Sequence, residues 1–204
     1  MKTQQIQILI VCLSLFSISY AQDYKFDKIV SNKFSTELFP NQEWTNVFNS
    51  KDDSYHMRIY TRNDSLVSRI FDTKRGLIQH FYIDKTDSLN LRFLKTEKFT
   101  QQAKDFKFEF SELIKEKNED MITLNIRNEK GRKIAKYKFT IQKTDQNLFP
   151  IFKLAALETL LFTNIVPPLN FLVLKAQGKN ISGNSIKYEV SSIKDFDMLV
   201  TIPK

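Results

Sequence analysis

The chain has two histidines, and these are its side chains best suited to chemistry near neutral pH. His56 and His80 lie on the first and third of four runs in which apolar and polar residues alternate. If these runs are neighbouring strands, one strand separates the histidines, and their Cα atoms lie about 10 Å apart at matched levels. A zinc ion needs further ligands, and nearby Asp52, Asp53 and Asp84 are generic candidates. The pattern therefore favours surface histidines, and no metal site is expected.

Other catalytic patterns are missing from the sequence. It contains no Gly-x-Ser-x-Gly turn of the kind that exposes a nucleophilic serine. Four glycines in all are too few for a loop that cradles phosphate. Its glutamates are not spaced as a pair across a cleft, which glycoside hydrolysis requires. The sequence therefore predicts neither an enzymatic activity nor a cofactor.

The elements that position the histidines read as an antiparallel meander. The four runs are Ser54–Tyr60, Ser65–Phe71, Leu77–Ile83 and Leu89–Leu94, separated by turn-forming clusters. Side chains alternate across a strand, so each run has an apolar face and a mixed face. We expect the apolar face to be buried and the mixed face to be available to a protein partner. The residues of this predicted partner face are His56, Arg58, Tyr60, His80 and Tyr82.

Further strands are predicted on both sides of the meander, at residues 23–30, 44–48, 106–110, 121–127, 133–142, 170–176, 185–190 and 195–202. Ser111 to Asp120 is predicted to be a loop or a single helical turn. The segment Phe149–Phe162 loses the two-residue period and carries only Lys153 and Glu158 as charges, which predicts a long apolar helix packed on the sheet. The predicted fold is mainly β (α+β): one large curved antiparallel meander sheet with one long apolar helix against it.

The amino terminus has the features of a secretory signal. Lys2 precedes an apolar run, and small residues at Ser19 and Ala21 fit cleavage before Gln22. The alternative is an uncleaved anchor, but the apolar run is shorter than the roughly 20 residues that span a bilayer. We therefore expect a signal peptide at residues 1–21, a single β-rich domain at 22–204, and export to the periplasm, cell surface or medium. Removal of Cys12 with the signal would leave a cysteine-free domain without disulfides.

The net charge of +8 raises the question of a nucleic-acid partner. Lysines and arginines are spread along nearly every predicted strand and alternate with acidic residues. This is the pattern of a solvated surface, and no nucleic-acid partner is expected.

The high phenylalanine content is the most informative remaining feature, with 18 phenylalanines against one tryptophan. Those near the predicted helix either fill a core or line a cavity for an apolar guest. The residues expected to line such a ligand site are Phe106, Phe108, Phe110, Tyr137, Phe139, Phe152, Leu157 and Phe162.

Two runs, Asn49-Ser-Lys-Asp-Asp-Ser-Tyr55 and Phe149-Pro-Ile-Phe152, together with the signal and the cysteine-free remainder, resemble those of uncharacterised secreted β-rich proteins of flavobacteria and their relatives. That resemblance implies no activity. More distantly, a curved antiparallel sheet around a helix is similar to the fold of periplasmic lipoprotein-carrier proteins. This similarity concerns the fold alone, and it assigns no functional residue.

Two functions follow from these observations. The first is an exported module that binds an apolar ligand, such as a lipid or a lipidated chain, between sheet and helix. The second is a structural or interaction module with a filled core, which binds another envelope protein through the mixed face.

Overall fold

The computed structural model describes residues 22–85, 89–99, 106–116, 118–157 and 160–202. The predicted signal peptide at residues 1–21 lies outside the described residues. The described chain forms twelve strands and one helix, α1, at Phe149–Ala156. The strands are β1 (Gln22–Thr36), β2 (Gln42–Asn49), β3 (Asp52–Arg62), β4 (Ser65–Asp72), β5 (Leu77–Lys85), β6 (Leu89–Lys98), β7 (Lys107–Phe110), β8 (Ile114–Glu116), β9 (Glu119–Arg127), β10 (Lys133–Lys143), β11 (Phe171–Lys179) and β12 (Ser185–Ile202).

The strands form one open antiparallel sheet, and α1 packs on it, which confirms the predicted fold class. The order across the sheet is β6-β5-β4-β3-β2-β1-β12-β11-β10-β9-β7, with β8 paired to β9. Strands β1 to β6 and strands β9 to β12 each pair in chain order, whereas β7 and β8 both pair with β9, and β1 pairs with β12. This pairing joins the two ends of the described chain in the middle of the sheet.

Turn residues fix the register of the predicted meander. Arg62 pairs with Ser65, so Asn63 and Asp64 form a two-residue turn in which both φ angles are positive, at 48° and 59°. This is the backbone that suits the twist of a hairpin, and Asn and Asp tolerate it. Gly131 likewise has a positive φ of 75° in the turn between β9 and β10.

A bulge after Phe26 reverses which face of the sheet the side chains of β1 point to. The pairing of β1 with β12 is interrupted between Phe26 and Lys28, and β1 pairs with β2 only from Lys28 onward. Tyr24 and Phe26 therefore belong to a two-stranded ribbon with the end of β12. They pack with Met57, among others, in a buried cluster on the face of the sheet away from α1.

Both faces of the central strands are consequently covered, whereas the sequence predicted one buried face. On the ribbon side, Met57 and Ile70 are fully buried. On the helix side, His56 and Arg58 are 3% and 6% exposed, which corrects the expectation that they lie on an open surface. The period of two identifies the two faces of a strand but cannot show that separate segments pack on each of them.

Three further predictions about elements need correction. The helix is shorter than predicted, since α1 ends at Ala156 with Leu157 as its C-cap. The segment predicted as loop contains the short strand β8 beside β9. The predicted last two strands are one continuous strand, β12, in which a bulge near Ser191 interrupts the alternation without ending the pairing.

Helix α1 connects three parts of the core through different side chains. Phe149, Phe152 and Ala155 join a large aromatic cluster with β9, β10 and β11. Ile151 packs with Val30, Phe48 and Leu172. On its third side, Leu154 packs with Phe71, Ile78 and Leu161. The helix is thus held from several directions.

Candidate functional site

Most of the residues predicted to bind an apolar ligand lie in one packed cluster. Tyr137, Phe139 and Phe152 are fully buried, and Leu157 is 3% exposed. The ring of Phe152 meets Phe139 edge-on at a centroid distance of 4.9 Å and Tyr137 at 5.9 Å. Such distances are those of aromatic rings in direct contact. Phe106, Phe108 and Phe110 are partly buried against the same cluster.

Phe162 is separated from the other seven residues. It stacks on Phe99 with a centroid distance of 4.0 Å and packs near Leu154 and Leu161. Of the eight predicted ligand residues, it is the one that also lines a cavity beside α1. The assignment of all eight as a ligand site stays a prediction.

The predicted partner face is divided by α1 and the segment that follows it. His56 and Arg58 lie beneath this cover, where the Arg58 guanidinium sits 4.4 Å from the centroid of the Trp44 ring. Tyr60, His80 and Tyr82 line a cleft of about 340 Å³ beyond the cover. The His80 imidazole lies 3.1 Å from the Glu97 carboxylate. Burial and the charge of Arg69 lower the pKa of His80.

The two histidines do not face each other across one strand. His56 is opposite Phe71, and Phe71 is opposite Ile78, so His80 lies two residues further along β5. In the part of the chain that the structure describes, no three His, Cys, Asp or Glu residues are grouped as metal ligands.

A cavity of about 380 Å³ opens between α1, the segment after it, and the sheet at β3 and β4. Its volume is within the range typical of small-molecule sites. Its wall is apolar along the helix and the following segment, with Phe149, Pro150, Leu161, Phe162, Ile165, Val166 and Pro167. Its polar groups come from β3, from the turn after β4, from the helix and from the segments on both sides of the helix; they are Asp53, His56, Thr73, Lys74, Asn147, Lys153, Thr163 and Asn164.

Lys153 is the basic residue of α1 and faces this cavity. Its ammonium donates a hydrogen bond to the backbone carbonyl of Thr163, which links the helix to the segment that follows it. Burial lowers the pKa of Lys153 to about 8, and the charge of Asp53 opposes this shift. At neutral pH the site therefore holds a partly desolvated positive charge.

His56 lines the same cavity from the sheet side. Burial and the neighbouring charge of Lys153 lower the pKa of His56 to about 4, so its imidazole is neutral at pH 7. Its Nδ1 atom is buried and has no hydrogen-bond partner among the described residues. Buried polar atoms are usually paired, and a hydrogen bond between the imidazole and the Asp53 backbone opposes the lowering of the His56 pKa. The unpaired Nδ1 atom lies below the surface of the cavity, so a polar group that enters the cavity reaches it only if neighbouring side chains move.

Chemically, the cavity combines apolar side chains with charged and hydrogen-bonding groups, which suits an amphiphile. Sequence reasoning noted Lys153 as one of two charges on an apolar helix but did not connect it with His56. Lys153 and His56 lie close together because α1 packs against β3 near His56, and these two segments are about a hundred residues apart in the chain. A lone lysine in an apolar helix was the available signal.

A larger cavity of about 520 Å³ has a different character. It is lined by several lysines, among them Lys33, Lys138 and Lys175, together with Glu119 and Glu189. Lys175 and Glu189 form a salt bridge at 3.4 Å between two exposed side chains. Exposed pairs of this kind contribute little and are typical of a solvated sheet surface.

No family model and no curated protein matches the chain. Seven chains of solved structures are similar to it, and two of them are as follows. A LolA superfamily protein from Nitrosomonas europaea is 10% identical with a TM-score of 0.36, and the match covers 85% of this chain and 87% of that one. A DUF1329 family protein from Desulfovibrio piger is 8% identical with a TM-score of 0.24, and the match covers 90% of this chain and 89% of that one.

A LolA superfamily protein is thus among the structural neighbours, whereas the flavobacterial resemblance finds no support. Overlays as loose as these carry no argument about ligand or activity. Among the described residues, no helix has the length and apolar character needed to cross a membrane.

Proposed function

We propose that this protein binds an apolar or amphiphilic ligand, such as a lipid or a lipidated chain, in the cavity beside α1. The observation that carries the proposal is the cavity itself, about 380 Å³ in volume with an apolar wall between helix and sheet. Val166 is 71% exposed on this wall, and Phe162 is partly exposed. An apolar guest that covered them would remove apolar surface from water, which favours binding.

Binding of Nile red, an apolar dye that fluoresces when shielded from water, tests the proposal. Val166→Asp places a charge on the wall of the cavity, where the native side chain is exposed and the fold does not depend on it. We expect at least about a tenfold loss of dye affinity, since a charge resists desolvation by an apolar guest. Leu199→Asp is the matched control, because Leu199 is 63% exposed and does not line the cavity.

The same assay distinguishes the two placements of the ligand. Phe108→Asp alters the aromatic cluster that the sequence predicted as the site, and Val166→Asp alters the cavity. Loss of binding only in Phe108→Asp, with the fold retained, would move the site to the aromatic cluster. Equal binding by Val166→Asp and the unmodified protein would contradict the proposed cavity.

The second candidate function is an interaction module of the cell envelope. The cleft lined by Tyr60, His80 and Tyr82 favours it, because the Arg69 guanidinium lies 5.5 Å from the Tyr60 ring centroid and Arg92 lies 5.3 Å from that of Tyr82. Tyrosine and arginine are enriched at interfaces. Cross-linking in intact cells would test this function: a product formed by the unmodified protein and lost in Tyr82→Ala would support it.

We also propose that the protein is exported and that residues 22–204 act as one β-rich domain. The amino-terminal pattern around Ser19 and Ala21 supports export. The mass of the protein recovered from the envelope or medium tests it, since cleavage would leave Gln22 as the first residue.

A further inference from the structure

We propose that the ligand of the cavity beside α1 is a singly charged amphiphile with a carboxylate head, which binds at Lys153 and His56 while its chain lies along the apolar wall. This inference rests on the proposed function and adds the chemical class of the ligand. It uses polar groups of the cavity that an apolar guest alone would not contact.

The charge of the cavity wall favours an anion of single charge. Among the described residues that line the cavity, Lys74 and Lys153 contribute two positive charges and Asp53 one negative charge, which leaves a net charge of +1 with His56 neutral. Lys74 and Asp53 are exposed, whereas Lys153 is partly buried. The positive charge that water screens least is therefore that of Lys153.

The present partner of the Lys153 ammonium is a neutral carbonyl oxygen, that of Thr163. An ammonium carries three donor hydrogens, so further bonds to a carboxylate do not require this one to break. A hydrogen bond between charged groups in a desolvated site is roughly twice as strong as one between neutral groups. A carboxylate head would thus stabilise a charge that burial alone disfavours.

His56 adds a second polar group to the same cavity. Its Nδ1 atom is buried without a hydrogen-bond partner among the described residues, and the side chain is 3% exposed. A neutral imidazole nitrogen can donate or accept a hydrogen bond according to its tautomer. Lysine and histidine together hold a polar head, and Phe162, Ile165 and Val166 provide the wall for its chain.

A comparison of dodecanoate with dodecanol tests the inference, because the two share a chain length and differ at the head. We expect dodecanoate to displace Nile red with about tenfold or greater preference over dodecanol. Lys153→Met should remove this preference and keep the affinity for dodecanol. Lys175→Met is the control, since Lys175 pairs with Glu189 on the solvated surface and should leave the preference unchanged.

The outcomes show whether the carboxylate head alone fails or whether the apolar binding site fails with it. Equal binding of dodecanoate and dodecanol by the unmodified protein would overturn the carboxylate head and leave the apolar site intact. Stronger binding of dodecyl phosphate than of dodecanoate would also overturn it. If neither amphiphile nor the dye binds, the proposed function fails together with the inference.

A second measurement applies if Lys153→Met does not fold. Between pH 7 and pH 10 the affinity for dodecanoate should fall as Lys153 loses its proton, since its pKa in the empty site is about 8. Of the other titratable groups at the cavity, Asp53, His56 and Lys74, the His56 imidazole stays neutral throughout because its pKa is about 4. Repeating the series in Lys74→Met removes the other lysine. A fall shared equally by dodecanol would overturn the inference.

Discussion

Replacement of Phe152 by alanine tests whether the aromatic cluster is a core or a ligand site. Phe152 is fully buried, and its ring contacts Tyr137, Phe139, Phe149 and Tyr188 at centroid distances of 4.9 to 5.9 Å. Truncation of such a side chain removes its apolar burial and leaves a cavity, at a cost of about 3–5 kcal/mol. That is a large part of the roughly 5–15 kcal/mol by which domains are stable.

Urea unfolding measures this cost directly. With a dependence of about 2 kcal/mol per molar urea, a loss of about 4 kcal/mol lowers the midpoint by about 2 M. Trp44 is the single tryptophan and stacks on Phe34 within the same cluster, so its fluorescence reports the transition. Phe162→Ala is the control, since this ring is partly exposed beside the cavity and should lower the free energy of unfolding by only about 1–2 kcal/mol.

The reasoning would be refuted by the reverse pattern. If Phe152→Ala unfolded at nearly the urea concentration of the unmodified protein and lost ligand binding, its ring would line a site rather than fill a core. The predicted pattern is a large loss of stability for Phe152→Ala and a loss of ligand affinity for Phe162→Ala.

Three further predictions concern the elements that support the site. Gly178→Ala should strongly destabilise the fold, by more than about 3 kcal/mol, because a Cβ there would lie 2.0 Å from the Lys136 carbonyl oxygen; an unchanged melting temperature would contradict the close approach of β10 and β11. Tyr24→Phe should cost about 1–3 kcal/mol in urea unfolding, since it removes a 3.0 Å hydrogen bond to the buried Asp72 carboxylate, whereas Tyr82→Phe on the surface should cost almost nothing. Burial lowers the pKa of His56 from 6.5 to about 4 in the folded chain, so the unfolded chain binds a proton first and the free energy of unfolding falls as the pH drops from about 6.5 towards 4, by up to about 3 kcal/mol. The His56→Gln variant should lose less stability than the unmodified protein between pH 7 and pH 4.5. Equal losses would contradict the lowered pKa of His56.

The fold could be predicted from the sequence where one face of a strand differs from the other. The runs from Ser54 to Leu94 were recognised by their alternation, and the turns between them by Asn, Asp and Gly. The alternation failed near Ser191, because a bulge places neighbouring residues on the same face and so resembles a turn. Strand β12 continues through the bulge because it pairs with β1 on both sides of it.

The site was less predictable because it depends on what packs over the sheet. The burial of His56 follows from the position of α1, which joins β3 only in the folded chain. The aromatic residues near the helix were recognised as apolar and close together, but not as rings in mutual contact. Lys153 stood out in the sequence as a charge on an apolar helix, and its partners come from distant segments.

Native mass spectrometry of the protein recovered from the compartment to which the cell delivers it tests the central claim most directly. We predict a complex with a single amphiphile, which is removed by solvent extraction and restored by added dodecanoate. The extracted protein with Val166→Asp should not restore the complex, whereas the protein with Leu199→Asp should. A protein that carries no ligand, and that takes up neither dodecanoate nor phospholipid, would contradict the claim that the cavity beside α1 is a binding site.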